Sequence, residues 1–258
     1  MSSVSSQDEL AIRLRGVTKI YESGARALGP IDLDIRKGEF VSLLGASGCG
    51  KSTALRLIAG LAAPTSGSNE VPARASRYGI GFVFQEPTLM PWTTVRENVR
   101  LPLILSHVAG AESTPRVDEA LAQVGLSDFA DAYPRELSGG MKMRVSLARA
   151  LVTSPDVLLL DEPFAALDEI TRFKLNNDLL TLWRKLGKTV VFVTHSVYES
   201  VYLSQRIVVM TSRPGRIHRE CRVEAPEPRD DAFRMSVAYA GYCRDVSQAL
   251  MQAGEVPA

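Results

Sequence analysis

The sequence predicts an α/β protein with a mostly parallel sheet, and two observations indicate this class. Short apolar runs recur along the 258 residues, and several are almost entirely Val, Leu, Ile and Phe, as in strands buried on both faces of a parallel sheet. Segments with helical periodicity separate these runs, which is typical of α/β folds. The predicted strands are Phe40–Leu44 and residues 81–84, 157–160, 190–193 and 207–210.

Three further parts accompany this predicted core. Residues 10–15 and 27–35 read as antiparallel strands beside the core, and a polar linker at 224–231 precedes an amphipathic helix predicted at 233–251. An inserted helical subdomain, punctuated by prolines, separates the two halves of the core. Its predicted helices are residues 94–105, 114–124 and 140–152.

Composition limits the classes of function. Hydrophobic residues make up 45% of the chain and charged residues 23%, so it can bury a core. With 30 Lys plus Arg against 29 Asp plus Glu, it lacks the basic excess that nucleic-acid binding favours, and we expect no nucleic-acid partner.

Three scattered cysteines favour a reducing compartment. Residues 1–10 lack a secretory signal pattern, and no apolar stretch approaches the ~20 residues that cross a bilayer, so we expect a cytosolic protein.

A glycine-rich loop follows the strand Phe40–Leu44 and opens a helical pattern at 54–59, matching GxxxxGKS in its strand, loop and helix setting. Its backbone N–H groups and the start of the helix favour an anion. Lys51 is placed to reach β- and γ-phosphates, and the Ser52 hydroxyl to bind Mg²⁺. A glycine-rich turn without function is the alternative. The candidate binding residues are Gly45, Ala46, Ser47, Gly48, Cys49, Gly50, Lys51, Ser52 and Thr53.

Two carboxylates, Asp161 and Glu162, follow a buried strand, at the sheet edge where ligands collect in α/β folds. Pro163 disfavours helical geometry at Glu162 and ends the strand there. Beside a phosphate loop, Asp161 is expected to hold Mg²⁺ and Glu162 to polarise the attacking water. A solvated loop or a helix cap is the alternative.

A second candidate anion site lies at Ser138, Gly139, Gly140 and Met141, where a hydroxyl and two glycines begin a helix. Such a sequence is also a common helix start without function. Because one nucleotide has a single γ-phosphate, a second cradle indicates a site that is shared.

Together these residues resemble the ATP-binding-cassette ATPases, specifically the importer subunits of the nitrate, sulfonate and taurine family. Residues 45–53 match the Walker A loop, 157–162 the Walker B strand and 137–141 the signature sequence, in a resemblance that covers about residues 10–221. Two longer stretches, 84–99 and 212–217, point to the subfamily.

The resemblance implies roles for four further residues. Gln85 matches the Q-loop glutamine, Asp168 the D-loop, His195 the switch histidine and Tyr21 the aromatic that stacks on adenine. Three of them also have a plainer interpretation: Gln85 as a turn residue, His195 as a strand-end histidine with satisfied hydrogen bonds, and Tyr21 as a packing residue.

The sequence departs from the superfamily pattern at four positions. Met141 stands where Gln is usual, although Met is frequent in this subfamily, and Met143 and Ala165 replace a frequent Gln and Gly. Ser196 follows His195 where Asp is common, which alters the charge around the histidine.

The resemblance implies a P-loop NTPase (RecA-like) core with an N-terminal antiparallel β-subdomain and an inserted helical subdomain. We predict one domain at 10–258, with the core and β-subdomain in 10–86 and 156–222. The helical signature subdomain would occupy 87–155, and a linker and helix 223–258.

It also implies the function: ATP hydrolysis with ATP and Mg²⁺ as cofactors, driving solute import at the cytoplasmic face of the inner membrane. The partners would be a second copy of the chain, an integral membrane permease and, indirectly, a solute-binding protein. The catalytic set would be Glu162, His195, Gln85 and Lys51, with Ser52, Gln85 and Asp161 as metal ligands.

The resemblance also implies that the segment 85–99, which carries Leu89, Met90, Pro91 and Trp92, lies near a groove for a permease helix. The alternative places Trp92 in the subdomain core. The competing functions are a soluble cassette ATPase that acts on nucleic acid or ribosomes, and a P-loop kinase. A soluble cassette ATPase of that kind usually has a second cassette or a long coiled coil, and this sequence contains one phosphate loop and no sustained heptad pattern. A kinase does not account for Ser138 to Gly140.

Overall fold

The computed structural model of the protein describes residues 9–226 and 229–255, which divide into two compact units. Unit 1 comprises residues 9–76 together with 187–226 and 229–255, and unit 2 comprises Arg77–Leu186. The interpretation of residues 1–8 as lacking a signal, and the predicted domain's positions 227–228 and 256–258, lie outside the described residues. The predicted limits of the helical subdomain, 87 and 155, stay a prediction.

The strands, in chain order, are β1 (Leu10–Ile20), β2 (Arg26–Arg36), β3 (Phe40–Leu44), β4 (Ser66–Glu70), β5 (Ile80–Val83), β6 (Val157–Asp161), β7 (Thr189–Thr194), β8 (Arg206–Met210) and β9 (Ile217–Arg222). The helices are α1 (Lys51–Ala59), α2 (Val95–Leu105), α3 (Gly110–Gln123), α4 (Gly139–Leu151), α5 (Glu169–Leu186), α6 (Val197–Leu203), α7 (Asp231–Arg234) and α8 (Val237–Glu255).

In unit 1, β3 lies between two parallel neighbours, β7 and β8, and β9 pairs antiparallel with the far side of β8. Every residue of β3 and β7 is buried, as the continuous apolar runs predict for strands covered on both faces. The predicted mostly parallel sheet is thus confirmed.

A separate antiparallel sheet in unit 1 joins β1 to β2 and to β4. The antiparallel strands predicted at 10–15 and 27–35 are confirmed and are longer than expected, at 11 residues each. The sequence analysis did not predict β4, because its residues Ser-Gly-Ser-Asn-Glu carry no apolar alternation.

Unit 2 contains the parallel pair β5 and β6 with helices α2 to α5. The three predicted helices are present with shifted ends; α3 begins at Gly110 rather than 114, and α4 at Gly139. Thr94 caps α2 by accepting a hydrogen bond from the Glu97 N–H at 3.3 Å, as the residue type favours.

The predicted C-terminal helix is two helices, α7 and α8. The break arises because Ser236 acts as a new cap, accepting a hydrogen bond from the Tyr239 N–H at 3.1 Å. Cys243, Val246, Ala249 and Ala253 of α8 pack on the buried residues of β8 and α6. None of the helices in the described part of the chain has both the length and the apolar character needed to cross a membrane.

Candidate functional site

The predicted phosphate loop connects β3 to α1 in unit 1. Gly48 and Gly50 have φ values of +77° and +103°, a region that favours glycine. A Cβ at Gly50 would lie 2.6 Å from the Ala27 carbonyl oxygen, so a larger residue would collide with neighbouring backbone. The loop therefore depends on both glycines for its shape.

Lys51, the first residue of α1, is nearly buried, with 3% of its surface exposed. Its ammonium group donates hydrogen bonds to the carbonyl oxygens of Gly45 at 2.7 Å and Ala46 at 3.1 Å. The cation is thus held across the loop, where the N–H groups at the start of α1 and a positive charge together favour a phosphate.

The pairing of β3 with β7 places His195 at the same sheet edge as the phosphate loop. Leu44, the last residue of β3, pairs with Thr194, the last residue of β7. Gly45 and His195 come directly after these two residues. His195 is exposed. Carboxyl ends of parallel strands are where ligands bind in open α/β sheets, which fits contact of this side chain with a bound phosphate.

Ser196, one of the departures from the superfamily pattern, has a structural role. Its hydroxyl accepts a hydrogen bond from the Glu199 N–H at 3.3 Å and caps α6. Its own N–H donates to the Thr194 hydroxyl at 3.0 Å, and that hydroxyl donates to the Glu199 carboxylate at 2.5 Å. This chain of hydrogen bonds fixes the backbone on both sides of His195.

Tyr21 lies close to the end of the phosphate loop. Its hydroxyl is 3.2 Å from the Thr53 hydroxyl, and 40% of the residue is exposed. The Lys19 ammonium lies 5.5 Å from the ring centroid, within the range of a cation–π interaction. This position fits the implied stacking role, because an exposed aromatic ring lies within reach of a nucleotide on the loop.

In unit 2, the pairing of β5 with β6 aligns Gln85 with the two carboxylates. Val83 pairs with Leu160, so Gln85 and the pair Asp161 and Glu162 follow neighbouring strands at one edge. Asp161 is buried with 9% exposure, whereas Gln85 is exposed. Both oxygen-bearing side chains are of the type that Mg²⁺ prefers.

Glu162 has a φ of +46°, which is uncommon for a residue other than glycine. Burial of Pro163 and Phe164, which follow it, anchors the chain in this turn. Strained backbone of this kind concentrates at functional sites, where the direction of a side chain matters. The expected departure of Glu162 from helical geometry before Pro163 is confirmed, in a form that the sequence did not reveal.

The predicted second anion site forms the start of α4. The Ser138 hydroxyl caps the helix by accepting a hydrogen bond from the Met141 N–H at 3.3 Å, and both Ser138 and Gly139 are exposed. Gly140 is buried, and a Cβ there would lie 2.7 Å from the Thr171 methyl carbon of α5. The exposed hydroxyl and helix start are accessible to an anion, while the second glycine permits close packing of α4 against α5.

Asp168 caps α5. Its carboxylate accepts a hydrogen bond from the Thr171 N–H at 2.9 Å, and this bond holds the pKa of the Asp168 carboxyl below its usual value. The carboxylate is exposed and remains negatively charged at neutral pH.

The sequence analysis missed Arg149, which connects α4 to the segment after Gln85. Its guanidinium donates to the carbonyl oxygens of Pro87 at 2.7 Å and Thr88 at 2.9 Å, and burial lowers the pKa of Arg149. The available signal was an arginine within the apolar run 147–152. Arg149 thereby ties the helix that begins with the signature residues to the segment carrying Gln85.

The described residues contain no group of three or more His, Cys, Asp or Glu side chains arranged to hold a metal ion. Mg²⁺ bound with a nucleotide does not require such a group, because phosphates and waters complete its octahedral shell around one or two protein ligands. The three metal ligands that the resemblance implies each carry an oxygen atom of the kind that Mg²⁺ prefers; they are Ser52, Gln85 and Asp161.

Several known proteins are similar to this chain in sequence, and one of known structure is similar in fold. Residues 28–165 match the protein family described as ABC transporter. The chain is 49% identical over 210 residues to an aliphatic sulfonates import ATP-binding protein of Xanthomonas axonopodis pv. citri, covering 80% of this chain and 83% of that protein. It is 44% identical over 233 residues to a nitrate import ATP-binding protein of Synechocystis, covering 87% of this chain and 88% of that protein.

A solved structure is similar over most of the chain. It is a dimeric ATP-binding cassette in a post-hydrolysis state with bound ADP and phosphate, with a TM-score of 0.73 and 38% sequence identity. The match covers 83% of this chain and 100% of that chain.

Proposed function

Because this chain belongs to the ABC transporter family, we propose that it is the ATP-hydrolysing subunit of a system that imports a small solute through a separate membrane permease. The suspected family and the P-loop NTPase fold are confirmed by the relatives and by the cassette structure. The observation that carries the proposal is the phosphate loop. Its buried Lys51, the first residue of α1, donates a hydrogen bond to the Gly45 carbonyl oxygen of the loop.

In the proposed reaction, the loop N–H groups and Lys51 bind the phosphates of ATP, and Tyr21 stacks on the adenine. Ser52, Gln85 and Asp161 would hold Mg²⁺, because they offer the hard oxygen donors that this ion prefers. The ion would supply neutralisation of the charge that develops on the phosphates.

Glu162 and His195 are the proposed catalytic side chains for water attack. Glu162 orients the water and accepts its proton, and the strained backbone at this residue supports a fixed direction for the carboxylate. His195 contacts the γ-phosphate from the end of β7, and the hydrogen bonds through Ser196 hold its backbone. Hydrolysis then needs no covalent intermediate, and positioning supplies most of the rate.

We propose that two copies of the chain act together. Ser138, Gly139, Gly140 and Met141 of one copy would complete the nucleotide site of the other, and Asp168 would lie near this interface. Two observations support this. Ser138 and Gly139 are exposed at the start of a helix, where an anion from another molecule can bind. The similar cassette of known structure is dimeric.

The proposed permease contact is on unit 2. A groove of about 490 Å³ is lined by Phe82, Phe84, Leu101, Leu105 and Arg149, among others, and Leu105 is 69% exposed. An amphipathic helix of the permease fits this apolar lining. Trp92, on the same unit, is 73% exposed and therefore does not belong to the subdomain core.

Arg149 offers a route from that groove to the catalytic residues. It lines the groove and also binds the backbone of the segment that follows Gln85. Permease binding is therefore expected to bias the position of Gln85 through Arg149 and Thr88.

The relatives are named for sulfonates and nitrate, so we propose a small anionic solute of this type, delivered to the permease by a solute-binding protein. The subunit would lie at the cytoplasmic face of the membrane.

The test is the oligomeric state of a Glu162→Gln variant of the full chain with Mg-ATP. We expect it to bind ATP, to form a dimer, and to release phosphate at least about 100-fold more slowly than the unsubstituted chain, since loss of a general base costs about 10²–10⁴ in rate. Glu169→Gln is the matched control, because Glu169 is an exposed glutamate on the first turn of α5. A variant that stays monomeric with saturating Mg-ATP, both alone and with the permease, would contradict the shared site.

A further inference from the structure

The turn between β8 and β9, residues 211–216, runs along the outer side of the phosphate loop. Gly215 lies so close to the loop that a Cβ there would be 1.9 Å from the Cys49 carbonyl oxygen. At the start of the loop, a Cβ on Gly45 would lie 3.1 Å from the Met210 carbonyl oxygen, at the end of β8. Two glycines thus permit backbone-to-backbone contact between the turn and the loop.

Arg213 adds a side-chain contact to the middle of the phosphate loop. Its Nε–H donates a hydrogen bond to the Gly48 carbonyl oxygen at 2.9 Å. A terminal guanidinium nitrogen lies 3.2 Å from the position that a Cβ of Gly48 would take, so the guanidinium covers this glycine. The residue is exposed, so its positive charge lies at the surface beside the loop.

The backbone that carries Arg213 is itself held in place. The Thr211 hydroxyl donates to the Pro214 carbonyl oxygen at 3.1 Å and accepts from the Arg216 N–H at 3.0 Å. The Gly215 N–H donates to the Ala27 carbonyl oxygen at 3.0 Å, which joins the turn to β2. The turn therefore presents Arg213 from a braced support.

We propose that Arg213 is a positioning residue for ATP binding, which keeps the Gly48 carbonyl directed away from the phosphates; this rests on the proposed function. In a planar trans peptide the C=O and the following N–H point in opposite directions. Holding the Gly48 carbonyl on Arg213 therefore turns the Cys49 N–H toward the loop interior, where it donates to the Ala46 carbonyl oxygen at 3.2 Å. At 3.2 Å this bond is at the long end of the normal range, and in the proposed complex the Cys49 N–H donates to a phosphate oxygen in its place.

The experiment measures the dissociation constant for Mg-ATP of the purified full chain and of two variants. Arg213→Met keeps the length of the side chain but has no donor for the Gly48 carbonyl, and we expect it to weaken ATP binding about five- to tenfold, as for loss of one typical hydrogen bond. Arg219→Met is the control: it removes one positive charge from an exposed position on β9 and should change the constant less than about twofold.

Salt separates positioning from a remote charge effect. At 1 M salt the Debye length is about 3 Å, so long-range attraction between Arg213 and ATP is screened. Because the hydrogen bond to Gly48 is a direct contact, the ratio of the variant's constant to that of the unsubstituted chain should persist at 1 M salt. A ratio that falls to one would show that Arg213 acts only through its charge, and would overturn the positioning role.

Two further measurements complete the test. Gly215→Ala pushes the turn away from Cys49 and should also weaken ATP binding. Unchanged ATP affinity in both Arg213→Met and Gly215→Ala would overturn the inference while leaving the proposed function intact. A lower thermal midpoint of nucleotide-free Arg213→Met with unchanged ATP affinity would assign Arg213 to the turn alone and would also overturn it. If the unsubstituted chain did not bind Mg-ATP, the proposed function itself would fail.

Discussion

The close approach of α4 to α5 at Gly140 makes a sharp prediction about packing. A Gly140→Ala substitution places a methyl group 2.7 Å from the Thr171 methyl carbon and 3.8 Å from the nearest carbon of Leu175. Ordinary van der Waals contact begins at 3.4 Å, so the new methyl is about 0.7 Å too close to Thr171 alone. Thr171→Ser removes the opposing methyl and keeps the hydroxyl beside Asp168.

The magnitude follows from two opposing effects. Overpacking of a buried position costs about 1–3 kcal/mol, and Ala in a helix is favoured over Gly by about 1 kcal/mol. Gly140→Ala should therefore lower the free energy of unfolding by about 0–2 kcal/mol in the natural background. With Ser at 171 the clash is absent, and the same substitution should raise that free energy by up to about 1 kcal/mol. The difference between the two backgrounds, about 1–3 kcal/mol, is the quantity to measure.

The assay is urea unfolding of the four members of this double-mutant cycle, followed by ATPase activity of each. Because the added methyl faces α5, we expect Thr171→Ser to restore the stability of the Gly140→Ala protein. A coupling free energy near zero would refute the packing argument. Restored stability without restored hydrolysis would show that residue 140 needs to be glycine for the nucleotide as well.

Three other predictions concern single side chains. Lys51→Ala should weaken ATP binding at least about tenfold by calorimetry, since its ammonium is the cation held in the loop; unchanged affinity would count against the phosphate site. The Thr171 N–H keeps the pKa of Asp168 below its usual 3.8, so the stability that this carboxylate adds is present above about pH 4 and is lost as pH falls through the lowered pKa. The difference in urea midpoint between the natural chain and Asp168→Asn should accordingly be constant from about pH 5 to 8 and shrink in acid, and a difference that grows in acid would contradict this. Trp92→Ala should reduce co-purification with the permease while leaving ATP hydrolysis by the isolated subunit unchanged, because the side chain is 73% exposed; intact co-purification would exclude Trp92 from the contact.

Several elements were predictable because their signals are local. The buried strands β3 and β7 are short continuous apolar runs, and the phosphate loop is one contiguous motif between a strand and a helix. By contrast, β4 has no apolar pattern. Its place in a sheet depends on pairing with β1, which lies far earlier in the chain; Arg13, for example, pairs with Glu70. The break between α7 and α8 depends on a serine cap that apolar periodicity does not reveal.

The order of residue types along the chain was enough to predict the fold class and the proposed chemistry. That chemistry depends on a glycine-rich loop for phosphate, a carboxylate pair after a buried strand, and a serine–glycine helix start. Folding decided which distant groups meet. Leu44 pairs with Thr194, and Arg213 binds the carbonyl of Gly48, 165 positions away. A hydrogen bond acts over about 3 Å in space regardless of sequence separation, so such contacts leave no periodic trace in the chain and require the tertiary structure.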